Sequence, residues 1–268
     1  MDSELVDAYL RRIGAERPER ADAAALRYLQ ERHVLSVPFE NLAFHLNEPV
    51  PQSVEAVRKI VYEGRGGCCF ELNTAFALLL QTLGFRVSLL GGHIYRGKEI
   101  SSPFGHLALR VEVDEPRAGG GSSWLVDVGQ GSHSRWPLDF ALRTPQEDPH
   151  GAYLLTETPE GDIDVACDGV PLYRMEIRPR DAEFSTPVIW WYRTAPDSPF
   201  VRRIMCVQPR EDGKVVLTGQ LLIRDQNGHQ TRERILAEED LREAYRTWFG
   251  IHLERLPELP ERPVARAS

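Results

Sequence analysis

Near Phe85 the apolar residues change their repeat from about 3.6 residues to about 2, so a helical segment gives way to strands. Before that point Ser3 is expected to cap a helix carrying Leu5, Val6, Tyr9, Leu10 and Ile13 on one stripe. A second helix runs from about Asp22 through Leu26 and Leu29 toward Val34. A third opens at Ser53 and carries Val54, Val57, Ile60 and Val61. The stretch Val37-Pro38-Phe39-Glu40-Asn41-Leu42 between them holds a proline and reads as a connection. A fourth helix carries Phe70, Leu72, Phe76, Leu79, Leu80 and Leu83 and stops at Gly84.

Beyond Phe85, Leu107, Leu109, Val111 and Val113 alternate with His106, Ala108, Arg110 and Glu112, the pattern of a half-buried strand. Residues 114–123 read as a mobile hairpin loop, and Trp124 to Val128 as the returning strand. Further strands are expected at 152–156, 172–177, 188–192, 203–208 and 215–223. A last helix is expected over 238–249, followed by an irregular tail from Leu256.

The most distinctive segment is Gly64-Arg65-Gly66-Gly67-Cys68-Cys69, a glycine-rich turn entering the fourth helix. A helix N-terminus carries about half a positive charge, and such a setting near a basic residue favours thiolate, the reactive form of cysteine. His106 opens one strand and Asp127 closes the next, so nucleophile, base and orienting carboxylate follow in chain order as Cys69, His106 and Asp127. Singly, each residue has a plainer reading: a small buried thiol, a satisfied strand histidine, a turn aspartate. The Arg-Gly-Gly preceding Cys69 is hard to explain by packing alone.

Other chemistries find less support. No Gly-x-Ser-x-Gly elbow, no Walker-type loop and no complete Gly-x-Gly-x-x-Gly occurs. Cys/His spacings suited to a metal are missing, so no metal is expected. The net charge of −8, with basic residues scattered rather than clustered, argues against a nucleic-acid partner. Four irregularly placed cysteines (Cys68, Cys69, Cys167, Cys206) suit reduced thiols better than a disulfide framework. No membrane span or secretory leader is visible, and the expectation is a soluble cytoplasmic protein. His33, His45, His133, His150, His229 and His252 sit in polar surroundings and read as solvated, whereas His93 is a candidate to line the site.

At these residues the chain resembles the arylamine N-acetyltransferases. The resemblance is carried by Arg65-Gly66-Gly67-x-Cys69-x-Glu71-x-Asn73, by His106, and by Leu125-Val126-Asp127-Val128-Gly129. Pro38-Phe39-Glu40-Asn41-Leu42 and Pro196-Asp197-Ser198-Pro199-Phe200 also look like family segments. The resemblance singles out Cys69 rather than Cys68 as catalytic. It implies an α+β fold with an N-terminal helical bundle (1–85), a central β-barrel (86–195) and a C-terminal α/β lid (196–268). The core would be a cysteine-protease-like Cys-His-Asp arrangement. It implies no permanently bound cofactor, with acetyl-coenzyme A as acyl donor and an arylamine or arylhydrazine as acceptor in a ping-pong reaction. Phe200 would lie near the coenzyme and Phe39 in the acceptor cleft. Arg65 is expected to pair with Glu40 or Asn41 and steady the catalytic turn.

One position departs from the family pattern. Members commonly carry Val-Gly-Phe-Gly after the aspartate, whereas this chain reads Val128-Gly129-Gln130-Gly131, which puts an amide where an aromatic ring would meet the acceptor. Other readings stay open. One is an amide synthase moving a carrier-bound polyketide chain onto an aryl amine. Others are a transglutaminase-like cysteine hydrolase and an inert binding module. The oligomeric state is open too, a homo-oligomer included.

Overall fold

The structure is a computed structural model and describes residues 1–97, 99–101, 104–114, 123–130 and 134–259. The helical segment comprises α1 (Ser3–Ile13), α2 (Ala23–Ser36), a two-residue strand β1 (Phe39–Glu40), a short α3 (Leu42–His45), α4 (Ser53–Tyr62) and α5 (Cys69–Thr82). Asp2, not Ser3, caps α1: its carboxylate accepts the Leu5 amide at 2.8 Å, and Ser3 is the first helical residue. Asp22 caps α2 in the same way through the Ala25 amide at 2.8 Å. The proline-containing connection is more ordered than the sequence suggests, since it supplies β1 and α3. Nearly every residue in the first three turns of α5 is buried, so this helix runs through the middle of the core rather than along its surface.

The central sheet contains β2 (Arg86–Arg96), β3 (Glu99–Ile100), β4 (His106–Glu112), β5 (Ser123–Val126), β6 (Leu138–Asp139), β7 (Gln146–Asp148), β8 (Gly151–Glu157), β9 (Ile163–Cys167) and β10 (Val170–Arg180). Its order is β6-β5-β4-β2-β10-β9-β8-β7, with β3 paired to β2, and it curls into a nearly closed barrel. At the seam the Gln146 side chain accepts the Asp139 amide at 2.7 Å and donates to the Asp139 carbonyl at 3.1 Å. The expected half-buried strand is buried on both faces at its start. Leu107, Leu109 and Val111 join the core around α5, while Ala108 joins Leu90, Leu125, Tyr173 and Met175 inside the barrel. Residues 115–122 of the expected hairpin loop lie outside the described residues.

After a 3-10 turn (Ala182–Ser185) come α6 (Thr186–Thr194) and α7 (Pro199–Arg202). Residues 188–192, expected as a strand, are therefore helical. Pro187 stands in the first turn, where its missing N–H costs nothing. The chain then forms β11 (Met205–Arg210), β12 (Gly213–Thr218), β13 (Leu221–Gln226), β14 (His229–Arg234) and α8 (Glu238–Phe249). The expected strand 215–223 is two strands, split by a turn at Gly219 with φ +57°. These strands make a sheet of order β1-β11-β12-β13-β14, in which β1 comes from the helical segment. Tyr245, Phe249 and Leu241 of α8 pack on its buried face. No helix among the described residues is long and apolar enough to cross a membrane.

Candidate active site

The turn before α5 is held from below by β1. Glu40 donates its amide to the Gly67 carbonyl at 2.9 Å, and Phe39 bridges to Gly67. Gly66 lies so close to this strand that a Cβ there would come within 1.9 Å of the Pro38 carbonyl oxygen. The turn delivers Cys69 as the first residue of α5, with both Cys68 and Cys69 buried.

The second corner comes from the barrel. His106 Nε2 donates to Asp127 Oδ2 at 2.8 Å, with both side chains buried. Ladder pairing between β4 and β5 ends at Leu109 and Val126, so the carboxylate reaches His106 from just past the strand end. Asp127 Oδ1 accepts from Asn73 Nδ2 at 3.0 Å and from the Gly129 amide at 2.8 Å. Asn73 stands one helical turn beyond Cys69 and also binds the Leu107 carbonyl at 2.6 Å and the Val128 amide at 3.1 Å. The helix of Cys69 and the strands of His106 and Asp127 are thus tied through one amide. The Tyr173 ring lies 4.9 Å from that of His106, and its hydroxyl bonds Asp127.

Since Asp127 occupies Nε2, the other ring nitrogen of His106 is the one left for the Cys69 sulfur, and each of the two groups shifts the ionisation of the other. Burial alone would push the Cys69 thiol up. Hydrogen bonds from Cys68 and His106, and the imidazolium charge, outweigh it and lower the thiol to about 6. Burial would likewise neutralise His106, yet the Asp127 charge and hydrogen bond, with the bond to Cys69, raise it to about 10. Cys68 goes the other way: burial, its bond to Cys69 and the nearby Glu71 charge hold it well above the ordinary thiol value. Between these limits the site holds a thiolate–imidazolium pair, the form in which a cysteine attacks a carbonyl.

Comparison with known proteins places this geometry. A family model described as N-acetyltransferase matches residues 22–257. The chain belongs to the arylamine N-acetyltransferase family. It is 27% identical to human (Homo sapiens) arylamine N-acetyltransferase 1, covering 93% of this chain and 95% of that protein. The structure of the Mycobacterium smegmatis arylamine N-acetyltransferase matches with a TM-score of 0.84 and 30% identity, over 94% of this chain and 93% of that one. A Bacillus cereus arylamine N-acetyltransferase, 25% identical with a TM-score of 0.84 over 94% of this chain and 100% of that one, is described as having a Cys-His-Glu triad. In this member of the family the residue bonded to the histidine is an aspartate.

The remaining expected residues divide into a polar and an aromatic group. Arg65 pairs with Glu40, Nε to Oε1 at 3.0 Å, and with Glu48 at 3.0 Å. It does not pair with Asn41, whose amide instead bonds the Arg203 and Phe200 carbonyls at 2.7 and 3.3 Å and the Met205 amide at 2.7 Å. Arg65, Glu40 and Asn41 are all buried. Phe39 and Phe200 meet at 6.2 Å within a cluster where Tyr192 stacks on Phe200 at 4.5 Å. A Cβ on Gly129 would lie 2.3 Å from Asn73 Nδ2 and 2.8 Å from Cys69 Cβ, so only glycine fits there. Gln130 is half-buried beside it, while Gly131 lies outside the described residues.

Two histidine expectations change. His33 is buried, bonds the Tyr9 hydroxyl at 3.0 Å and packs on Phe76; burial holds its ring neutral. His45 and His150 are partly buried, His229 and His252 are exposed, and His133 lies outside the described residues. His93 follows Gly92, the partner of His106 across the β2–β4 ladder, so it points to the opposite face of the sheet. There it meets Glu176 at 3.3 Å and Phe104. Asn73, Lys59, Glu71 and Glu48 also make contacts at the site; Asn73 and Glu71 belong to the family motif, whereas nothing in the sequence points to Lys59 and Glu48. The i, i+4 spacing of Cys69 and Asn73 is the available signal for the first of these. No cluster of His, Cys, Asp and Glu suited to a metal ion exists among the described residues.

Proposed function

We propose that this protein transfers an acetyl group from acetyl-coenzyme A to an arylamine or arylhydrazine through an acetyl-Cys69 intermediate, in two half-reactions. The observation that supports the reading is the buried pair of His106 and Asp127 at 2.8 Å, tied through Asn73 to the helix that begins at the buried Cys69. In the first half-reaction the Cys69 thiolate adds to the thioester carbonyl. The C–S bond to coenzyme A then breaks, and the departing thiolate takes the imidazolium proton. In the second, the amine adds to acetyl-Cys69 while neutral His106 accepts its proton, and Cys69 leaves as thiolate. Asp127 keeps the ring oriented through both steps and favours its charged form. Arg65 and Glu40 support the turn that presents Cys69.

In this reading residues 1–85 supply the nucleophile, 86–195 its two partners, and 196–268 cover the donor side, with Phe200 toward the coenzyme and Phe39 toward the acceptor. A reduced intracellular setting suits the free thiols. The test is intact-protein mass spectrometry after mixing with acetyl-coenzyme A. One acetyl group should appear on a peptide containing Cys69 and leave again when an arylamine is added. Absence of that adduct in active enzyme rules out the two-step scheme.

A further inference from the structure

Beside the catalytic turn two buried carboxylates share one buried ammonium. Lys59, on α4, places Nζ 2.6 Å from Glu71 Oε1 and 3.6 Å from Glu40 Oε1. Glu40 has partners of its own: Arg65 at 2.9 Å and the Leu42 amide at 2.7 Å. Glu71 has Lys59 as its one ion-pair partner among the described residues. Its other oxygen accepts the Cys68 amide at 2.9 Å. Its carboxylate also fills the space a Cβ on Gly67 would need, with Oε2 2.7 Å from that point. Glu71 therefore holds the Cys68 amide and fills the space beside Gly67; burial and the Glu40 charge raise its carboxyl, and Lys59 opposes that shift.

We infer that Lys59 is a positioning residue for the nucleophile: through Glu71 it fixes the Cys68 amide, and it offsets a buried carboxylate charge that acts on Cys68, the residue joined to Cys69. The inference rests on reading Cys69 as the nucleophile, not on the identity of the acyl donor. A buried carboxylate without a cation is unfavourable. Deprived of Lys59, Glu71 either stays ionised and opposes a second negative charge nearby, as it already does for Cys68, or takes up a proton. The other titratable and charged groups facing this cluster are Arg65, Glu40 and Glu48, with Cys206 of β11 and Tyr245 of α8 toward Glu40. Those facing Cys69 are Cys68, His106, Asp127 and Tyr192.

The experiment titrates the thiol itself in Lys59→Met, Glu71→Gln and the double variant, by thiolate absorbance and iodoacetamide alkylation. Cys69→Ser serves as the blank and near-UV circular dichroism as the fold control. Lys59→Met should raise the midpoint of the Cys69 titration, and at pH values below both midpoints the alkylation rate should fall about tenfold for every pH unit the midpoint rises. Glu71→Gln keeps an acceptor for the Cys68 amide and removes the charge, so its midpoint should lie at or below wild type. The double variant should regain most of the rate lost in Lys59→Met. A Lys59→Met midpoint equal to wild type, or a double variant as slow as the single, overturns the inference. Should Lys59→Met not fold, Glu71→Gln decides alone, and a midpoint above wild type counts against it. Because the readout is the sulfur and not acetyl transfer, an enzyme that refuses acetyl-coenzyme A still answers the question.

Discussion

Asn73 Nδ2 and Asp127 Oδ1 lie 3.0 Å apart, and this bond joins the helix that carries Cys69 to the strand end that orients His106. The same amide reaches the Leu107 carbonyl on the neighbouring strand. Asn73→Ala should therefore act on both stability and chemistry. It leaves a buried carbonyl and part of a buried carboxylate unsatisfied, at about 1–3 kcal/mol. It should also slow alkylation of Cys69, because His106 is less firmly held. Urea denaturation and alkylation rates measured together test this; a loss of stability with unchanged alkylation would make Asn73 a packing residue only.

The pH dependence of thiol reactivity follows from the two titrating groups at the site. Cys69 is lowered from 9.0 to about 6, so its thiolate forms as pH rises through that value. His106 is raised from 6.5 to about 10, so its imidazolium survives until pH climbs through that value. The stability signs agree. The depressed thiol contributes stability that is complete above its unfolded value and lost as pH falls through about 6. The raised imidazole contributes stability that is complete below about 6.5 and lost as pH rises through about 10. Alkylation by iodoacetamide should rise in the acidic range and reach a plateau at neutral pH. A first rise only near pH 9 would mean that the thiol is not activated. Asp127→Asn should move the rise toward that ordinary value and cost about 100-fold or more in turnover.

These residues differ in how far the sequence exposes them. That Cys69, His106 and Asp127 stand where elements begin or end is legible from the hydrophobic repeat, while the choice of Cys69 over Cys68 comes from the family resemblance. Lys59 is not legible, because a single lysine in an amphipathic helix is ordinarily a solvated residue and only the packing of α4 against α5 buries it. The stretch Val188 to Tyr192, apolar and aromatic, has the composition of a strand. Tertiary packing overrides it, and the Tyr192 ring turns inward to Phe200 while Trp190 stays exposed. His33 is buried where its neighbours suggest solvent, for a similar reason: residues adjacent in sequence are spread around a helix, and the face that holds His33 is the one against Tyr9 and Phe76.

Gly129→Ala tests the closeness of the two halves of the site. The added methyl would stand 2.3 Å from Asn73 Nδ2 and 2.8 Å from the Cys69 backbone and Cβ, and neither neighbour is the free end of a long side chain. Overpacking of this kind costs about 1–3 kcal/mol. Cys69 must move to accommodate it, so turnover should fall further than stability does. An alanine variant with wild-type turnover would show that the contact relaxes without disturbing Cys69.

Arg65→Ala separates support of the turn from direct chemistry. The guanidinium is buried and holds Glu40, which in turn binds the Leu42 amide beneath the turn that precedes Cys69. Its removal leaves a buried carboxylate with only Lys59 at 3.6 Å as a counter-ion, and breaking one side of a buried pair costs about 3–5 kcal/mol. A loss of that size in urea denaturation is expected. Arg65→Lys should recover only part of it, because one ammonium cannot reach both Glu40 and Glu48 as the forked guanidinium does. Full recovery by lysine would mean that charge alone is needed.

The role proposed for Gln130 is in acceptor choice. Gln130 follows Gly129, whose amide binds Asp127 and whose Cα lies against Cys69. An amide cannot stack on an aromatic acceptor as a phenyl ring can, and offset stacking is worth about 0.5–1.5 kcal/mol beyond buried area. Gln130→Phe should therefore improve kcat/KM for simple arylamines by about three- to tenfold. Bulkier or more polar amines should gain nothing or lose. Formation of the acyl-enzyme, measured without acceptor, should be unchanged, which locates the effect in the second half-reaction. If all acceptors change together, or acyl-enzyme formation slows, the residue acts on the nucleophile and not on the acceptor.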